Sequence, residues 1–317
     1  MIIAKMTQYY SKMSNWGKVL LFSILFIIVV STLNRLFPSG KQPYSQLYEG
    51  FSQTSEYTSK TNVADIYDSF YASVYDHLVF NEVKNDYEVG EIVSHTHITE
   101  ASKVLDVGAG TGRHVGEFIS QHISAEGIDI SPHMVAKAKE NYPDATFKVG
   151  DIMDKNMYPP AQMTHITCLY FTIYYLQDKS AFFRNCLYFL KPGGYLIIHL
   201  ANRSKFDPIL PPGNPLVAVS PQRYAKERIT TTKIKFNDFE YDSNFTVDKD
   251  ANSATFVEKF KSDIDGRVRE NEHTFYMESQ EAILKQAQNA GFILDSKIDL
   301  IKVAYEYQYL YVLIKPS

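Results

Sequence analysis

In VLDVGAGTGRHV, Val104 to Val115, an acid interrupts a short apolar run and three glycines follow on alternate positions, at 108, 110 and 112. Glycine accepts positive φ, and without a Cβ its backbone can press against a ligand. The spacing of GRHVGEFISQHI predicts a helix opening directly after the turn, which adds unpaired N–H donors. The chemistry is therefore that of holding a flat or charged ligand against main chain, with Asp106 beside it. Two more acids stand in matching places. AEGIDIS closes a second apolar run on Asp129, followed by Ile130, where a carboxylate can accept two hydrogen bonds from a ribose diol. ATFKVGD closes a third on Asp151, which can accept from an adenine amino group while Ile152 covers the ring face.

These acids need strands to place them and helices to return the chain, the pattern of a parallel α/β sheet whose ligands collect at the carboxyl ends of the strands. A dinucleotide and S-adenosylmethionine both carry a ribose diol. The dinucleotide fingerprint G-x-G-x-x-G fits poorly, because Arg113 stands where its third small residue belongs. VLDVGAGTG, GIDIS, VGDIMD and LKPGGYLIIHL, in that order, resemble the class I S-adenosylmethionine-dependent methyltransferases of the small-molecule type over roughly residues 104–200. The resemblance implies a Rossmann-like seven-stranded sheet with S-adenosylmethionine as cofactor. Asp106, Gly108, Gly110 and Gly112 would face its methionine part, Asp129 and Ile130 the ribose, and Asp151 and Ile152 the adenine. One departure is visible, because many relatives open the fourth strand with Asp and this chain has MTHITCLYF.

The acceptor should sit against the loops after the fourth and fifth strands, LYFTIYYL and HLANRSKFDP. Methyl transfer is an in-line displacement that needs positioning, an apolar site and, for some acceptors, a base. Tyr170, Tyr174 and His199 are the catalytic candidates, His199 as the base because an ordinary imidazole titrates near neutrality. The competing reading for each of the three is plain packing, the commoner role of a tyrosine in a chain with 23 of them. Upstream, VADIYDSFYASVYDHLVF reads as one aromatic-faced helix. By resemblance, its Tyr71 and Tyr75 cover the methionine end of the cofactor.

Residues 63–317 are expected to form the catalytic domain, with an insertion at about 205–278. KIKFNDFEYDSNF, SATFVEKFKSD and GRVRENEHTFYM alternate as an antiparallel meander. That meander can roof an acceptor pocket, with His273 and Tyr276 as candidate discriminating residues. SQEAILKQAQNAGF then reads as a helix capped by Ser279 and Gly291, before two closing strands. Arg223, Lys226, Arg228, Lys233 and Lys235 form a basic cluster, either a solvated face or a contact for anionic lipid.

Ahead of this lies an apolar stretch with sixteen uncharged residues between Lys18 and Arg35, roughly 24 Å of helix. Residues 1–37 are expected to be a leader and a single transmembrane helix, with Trp16, Lys18 and Arg35 at its interfaces, and residues 38–62 a linker. The membrane is thus an expected partner. A domain that uses a cytosolic cofactor belongs on the cytosolic side. Lys5, Lys12 and Lys18 ahead of the helix bias the topology the other way.

A net charge of −4 offers no footprint for nucleic acid, and two cysteines, Cys168 and Cys186, supply neither a disulfide framework nor a zinc site. No metal is expected. The reading is transfer of a methyl group from S-adenosylmethionine to oxygen or nitrogen of a small molecule, lipid-soluble acceptors included. A catalytically inactive scaffold of the same fold at a membrane is the alternative.

Overall fold

The computed structural model describes residues 14–36, 57–213 and 220–317. It divides into two units, Met1–Ser45 and Gln46–Ser317. In the first, helix α1 spans Asn15–Leu36, with Trp16, Leu20, Phe22 and Phe26 largely exposed. Among the described residues no helix is long and apolar enough to cross a membrane. The expected transmembrane span is therefore not supported. Its uncharged core of roughly 24 Å is short of a ~30 Å hydrocarbon layer.

The second unit carries two sheets. The larger has seven strands in the order β11-β12-β6-β5-β2-β3-β4. These strands are β2 (Lys103–Val107), β3 (Ser124–Asp129), β4 (Thr146–Val149), β5 (Met163–Cys168), β6 (Leu190–Ala201), β11 (Ile293–Asp299) and β12 (Gln308–Ile314). Strands β2 to β6 pair in parallel, and the β11–β12 hairpin closes the sheet antiparallel to β6. Val104 and Leu105 of β2 are fully buried, as a parallel strand covered on both faces requires. Placement of β2 at the centre of the five parallel strands, with β3 and β5 on either side, creates the switch point where a crevice opens at the strand ends.

Helices α4 (Glu82–Thr96), α5 (Arg113–Ser120), α6 (Pro132–Asn141), α8 (Lys179–Phe189) and α9 (Gln280–Ala290) complete the main layers. Their ends follow the sequence. Ser131 caps α6 with Pro132 at its first position, Asp178 caps α8, and Ser279 and Gly291 cap α9 as expected.

The inserted meander is present as β7 (Thr231–Lys235), β8 (Phe239–Asp248), β9 (Ser253–Ser262) and β10 (Val268–Phe275). A fifth strand joins it. Tyr57–Lys60, expected as the tail of a linker, forms β1 and pairs in parallel with β10. Residues 38–56 of that linker lie outside the described residues.

The single aromatic helix expected from residue 63 onward is broken in two. α2 covers Val63–Ile66 and α3 covers Ser69–Val79, with Tyr67 and Asp68 between them. The cause is Asp68, which caps α3 by accepting from Tyr71 N at 3.0 Å. Its carboxylate also takes Arg269 Nη1 of β10 at 2.9 Å and Lys60 Nζ of β1 at 2.6 Å. The Arg269 guanidinium reaches back to Ile66 O at 2.8 Å. Burial opposes the charge on Asp68, but these two cations hold its pKa below the ordinary value. The break turns Tyr67 out of helical register and into the site.

Candidate active site

A cavity of about 400 Å³ lies at the carboxyl ends of β2 and β3, lined among others by Tyr67, Tyr75, Gly108, Asp129, Asp151 and Tyr175. Gly108 adopts φ +67°, and a Cβ there would lie 2.5 Å from Thr172 Cγ2, so no side chain fits at the end of β2. Gly110, at φ +53°, donates its N–H to Asp129 Oδ2 at 2.9 Å. Asp129 Oδ1 accepts from Ser131 N at 2.9 Å. A carboxylate offers about four lone-pair directions, so the two remaining suit a vicinal diol. Burial raises the pKa of Asp129, against the two backbone N–H groups that favour its anion.

Beyond it, Ile130, Ile152 and Met153 form an apolar slot beside Asp151. Asp151 is exposed and uses one oxygen to accept from Met153 N at 2.9 Å, which leaves the other for an amino edge. The expected ribose and adenine residues are thus brought to one wall. A diol acceptor, an amino acceptor and an apolar slot between them are the donor set that an adenosine group requires, and S-adenosylmethionine fits it.

The methionine-end residues separate. Asp106 is buried, accepts from Thr167 Oγ1 at 2.7 Å, and borders a smaller pocket of about 40 Å³ with Asp76, Arg113 and His114. Burial, opposed by the charge of His114, pushes its pKa up to about 6. Gly112 lines neither cavity. It starts α5 at φ +85°, where a Cβ would strike Phe147 Cζ at 2.6 Å, so its glycine serves packing. Tyr75 borders all three cavities, whereas Tyr71 borders only the third.

That third cavity, about 120 Å³, shares Tyr67, Tyr75, Thr172 and Tyr175 with the large one. Its far wall is Phe245 of β8, Phe256 of β9, and His273 and Phe275 of β10, so the insertion does enclose a pocket against the crevice. Its lining includes no Lys or Arg among the described residues. Tyr175 belongs to the short helix α7 (Thr172–Tyr175) and its hydroxyl sits 2.9 Å from Tyr67 Oη and 2.6 Å from His273 Nδ1. His273 Nε2 lies 2.7 Å from Glu258 Oε2, and Tyr241 donates to Glu258 Oε1 at 2.7 Å. Burial alone would raise the pKa of Glu258, but His273 and the Tyr241 and Tyr71 hydroxyls hold it below the ordinary value.

The expected catalytic residues are placed differently. His199 is buried, bonds through Nδ1 to Tyr170 O at 2.6 Å, stacks on Phe171 and borders none of the three cavities. Burial, with the nearby Lys84 cation, drives its pKa down to about 4, so it carries no charge at neutral pH. Tyr174 is also buried, its hydroxyl accepting from Ala201 N at 2.9 Å. Tyr170 does reach the site, at φ +49° between the two smaller cavities, with Lys84 Nζ 3.7 Å above its ring. Tyr276 is partly exposed and outside the cavities, its carbonyl taking Lys179 Nζ at 2.7 Å. Sequence reasoning passed over Tyr67, Tyr175 and Glu258. The alternation of β9 and β10 carried a weak signal, since a Glu and a His on inward positions of a lid strand need partners.

Beneath Tyr170, buried Lys84 pairs with Glu88 at 2.7 Å, and Glu88 with His114 at 3.0 Å. Three members of the basic cluster are paired with acids, Lys233 with Asp242, Lys235 with Asp263 and Arg223 with Glu306, while Arg228 donates to the carbonyls of Arg203 and Phe206. Cys168 and Cys186 are buried free thiols. No group of acids, histidines and cysteines able to hold a metal occurs among the described residues.

Residues 104–194 match the family model for a methyltransferase domain. The chain is 32% identical over 161 residues to dTDP-4-amino-2,3,4,6-tetradeoxy-D-glucose N,N-dimethyltransferase of Saccharopolyspora spinosa, covering 49% of this chain and 60% of that protein. It thus spans three fifths of the length of that relative, and 58% of a second sugar N,N-dimethyltransferase from Streptomyces venezuelae. The fold matches the CcbJ methyltransferase from Streptomyces caelestis with a TM-score of 0.61 at 16% identity, covering 79% of this chain and 98% of that one. SAM-bound CalS10, an amino pentose methyltransferase from Micromonospora echinaspora, aligns with a TM-score of 0.53 at 17% identity, covering 87% and 99%. These likenesses support S-adenosylmethionine as the cofactor. Residues 104–194 thus match a methyltransferase domain, and the sheet order, glycine turn and paired acids resemble those of the class I S-adenosylmethionine-dependent methyltransferases.

Proposed function

We propose that the chain methylates an amino nitrogen on a small molecule, of the amino-sugar kind named for its relatives. The observation that carries this reading is the shared wall of Tyr67, Tyr75, Thr172 and Tyr175, which sets the aromatic cavity directly against the cofactor crevice. S-adenosylmethionine, when bound, supplies an electrophilic methyl group for in-line displacement. The chain contributes position and dryness. Asp129 and the glycine turn fix the nucleoside, while the aromatic rings exclude water and leave an amine lone pair unsolvated. With no cationic side chain in its lining, the small cavity suits a neutral amine-bearing group and leaves any phosphate of a larger acceptor outside.

The test is calorimetry with S-adenosylmethionine, followed by methyl release on a panel of amino sugars, simple amines and matched alcohols. Turnover of amines over alcohols is expected. Tight cofactor binding with no turnover on any acceptor favours the inactive scaffold instead.

The exposed apolar side chains of α1 support a second, separate proposal. We infer that α1 anchors the chain in lipid, with the catalytic unit on the cytosolic side. Full-length protein expressed in cells should pellet with membranes after alkaline carbonate, and the catalytic unit should be digested by protease added to sealed, cytosol-side-out vesicles. Release by carbonate sinks the anchor, and protection sinks the sidedness.

A further inference from the structure

The residues that join the two cavities are also joined to one another, and the polarity of that chain can be worked out. Glu258, held anionic, only accepts hydrogen bonds, so His273 Nε2 carries a proton toward it. A ring whose one proton sits on Nε2 presents Nδ1 as an acceptor, to which the Tyr175 hydroxyl 2.6 Å away can donate. The Tyr175 oxygen in turn accepts from Tyr67 at 2.9 Å. Tyr67, at the head, is left with an open acceptor position. It lines both cavities.

We propose that Tyr67, Tyr175, His273 and Glu258 form a proton-accepting relay, built by the inserted sheet, that takes the N–H proton of the acceptor amine as the new N–C bond forms. This rests on the amine reading above. The balance is complete. The nitrogen lone pair makes the N–C bond, and the C–S electron pair leaves with sulfur as a neutral thioether. The surplus proton on nitrogen passes to Tyr67 Oη, the Tyr67 proton to Tyr175 Oη, and the Tyr175 proton to His273 Nδ1. Both phenols end neutral, and the imidazolium is left against the Glu258 carboxylate. Burial supports this direction, because it pushes the pKa of both phenols well above the ordinary value and neither can stop the proton as a tyrosinate. Neutral product with the proton held off the nitrogen is also free to be methylated again, since its lone pair is restored. Tyr67 is the catalytic residue by contact, and Glu258, which reaches the amine only through His273, is a positioning residue.

Imidazole nitrogen spectra of the full ¹⁵N-labelled chain at pH 8, with His273 assigned by comparison with His273→Gln, should show a proton on Nε2 and a hydrogen-bonded, unprotonated Nδ1. In turnover, Tyr67→Phe and His273→Ala should each lower kcat by about 10²-fold with KM for the amine changed far less, the usual reach of acid–base catalysis. Affinity of His273→Ala for S-adenosylhomocysteine should stay within a few-fold, because His273 does not border the larger cavity. Added imidazole should restore His273→Ala, and pyrazole, of similar shape but far weaker basicity, should not. A methylating wild type whose His273 carries its proton on Nδ1 or on both nitrogens, whose kcat survives His273→Ala, or which pyrazole rescues as well, sinks the relay alone. A wild type that methylates no amine sinks the underlying reading and the relay with it.

Discussion

Replacing Asp129 by alanine should weaken binding of S-adenosylmethionine or S-adenosylhomocysteine by about 10²–10⁴-fold. Two charge-assisted hydrogen bonds to a diol contribute roughly 1.5–3 kcal/mol each, and every 1.4 kcal/mol is tenfold. The same carboxylate also ties Gly110 N and Ser131 N, so the alanine variant loosens the glycine turn as well as the sugar. Asp129→Asn separates these effects. One amide oxygen can still accept, but the amide nitrogen must face an N–H or a hydroxyl that wants an acceptor, and an intermediate loss is expected. Calorimetry reads both variants, and unchanged affinity in Asp129→Ala would remove the nucleoside from this crevice.

The second large effect concerns stability. Glu88 is fully buried between Lys84 and His114, so Glu88→Ala leaves the Lys84 ammonium charged and unpaired in the core. Loss of one partner of a buried pair costs about 3–5 kcal/mol, whereas replacing both by apolar residues is often close to neutral. The urea midpoint of Glu88→Ala should fall accordingly, and the double variant Lys84→Met with Glu88→Leu should recover most of the loss. The pair also gives stability a pH signature. Burial would raise the pKa of Glu88, but Lys84 and then His114 outweigh it and lower it to about 2 from an ordinary 4.5. A lowered carboxylate stabilises the fold fully above pH 4.5, and that contribution drains away as pH falls from there toward 2. Glu88→Gln should flatten the wild-type decline in that window. An undiminished decline would assign acid sensitivity to other carboxylates.

Much of the cofactor half of the site was legible because each of its demands is local. A glycine that cannot carry a Cβ, an acid at or just past the end of a strand and an apolar neighbour for a ring are all set within a few residues of sequence. The acceptor half was not. Tyr67 enters the cavity because Asp68 breaks a helix, and Asp68 does so for Arg269, two hundred residues further on and on another sheet. Local periodicity, which favours one continuous helix, contains no trace of that partner. His199 illustrates the reverse. Its place near the end of β6 suggested access, but Leu196, Ile198 and Leu200 pack in one core cluster and Ile197 in the other, so strand alternation puts His199 with Ile197, on the side of Val89 and Ile92. There it meets Tyr170 O and no cavity. Parity along the strand was readable, but which face the pocket occupies depends on where the meander docks. Gly112 shows the same limit, since its φ was foreseeable and its neighbour Phe147 was not.

The parallel pairing of β1 with β10 has a practical reach. A fragment begun at residue 63, the expected start of the catalytic domain, keeps every strand of the larger sheet yet strips Tyr57–Lys60 from the margin of the meander. Val268 to Asn271 would then present bare main-chain amides and carbonyls to the solvent, an invitation to join the same margin on another molecule. The same cut discards Lys60, one of the two clasps on Asp68. Recombinant work on this enzyme fold should place its first residue ahead of Tyr57.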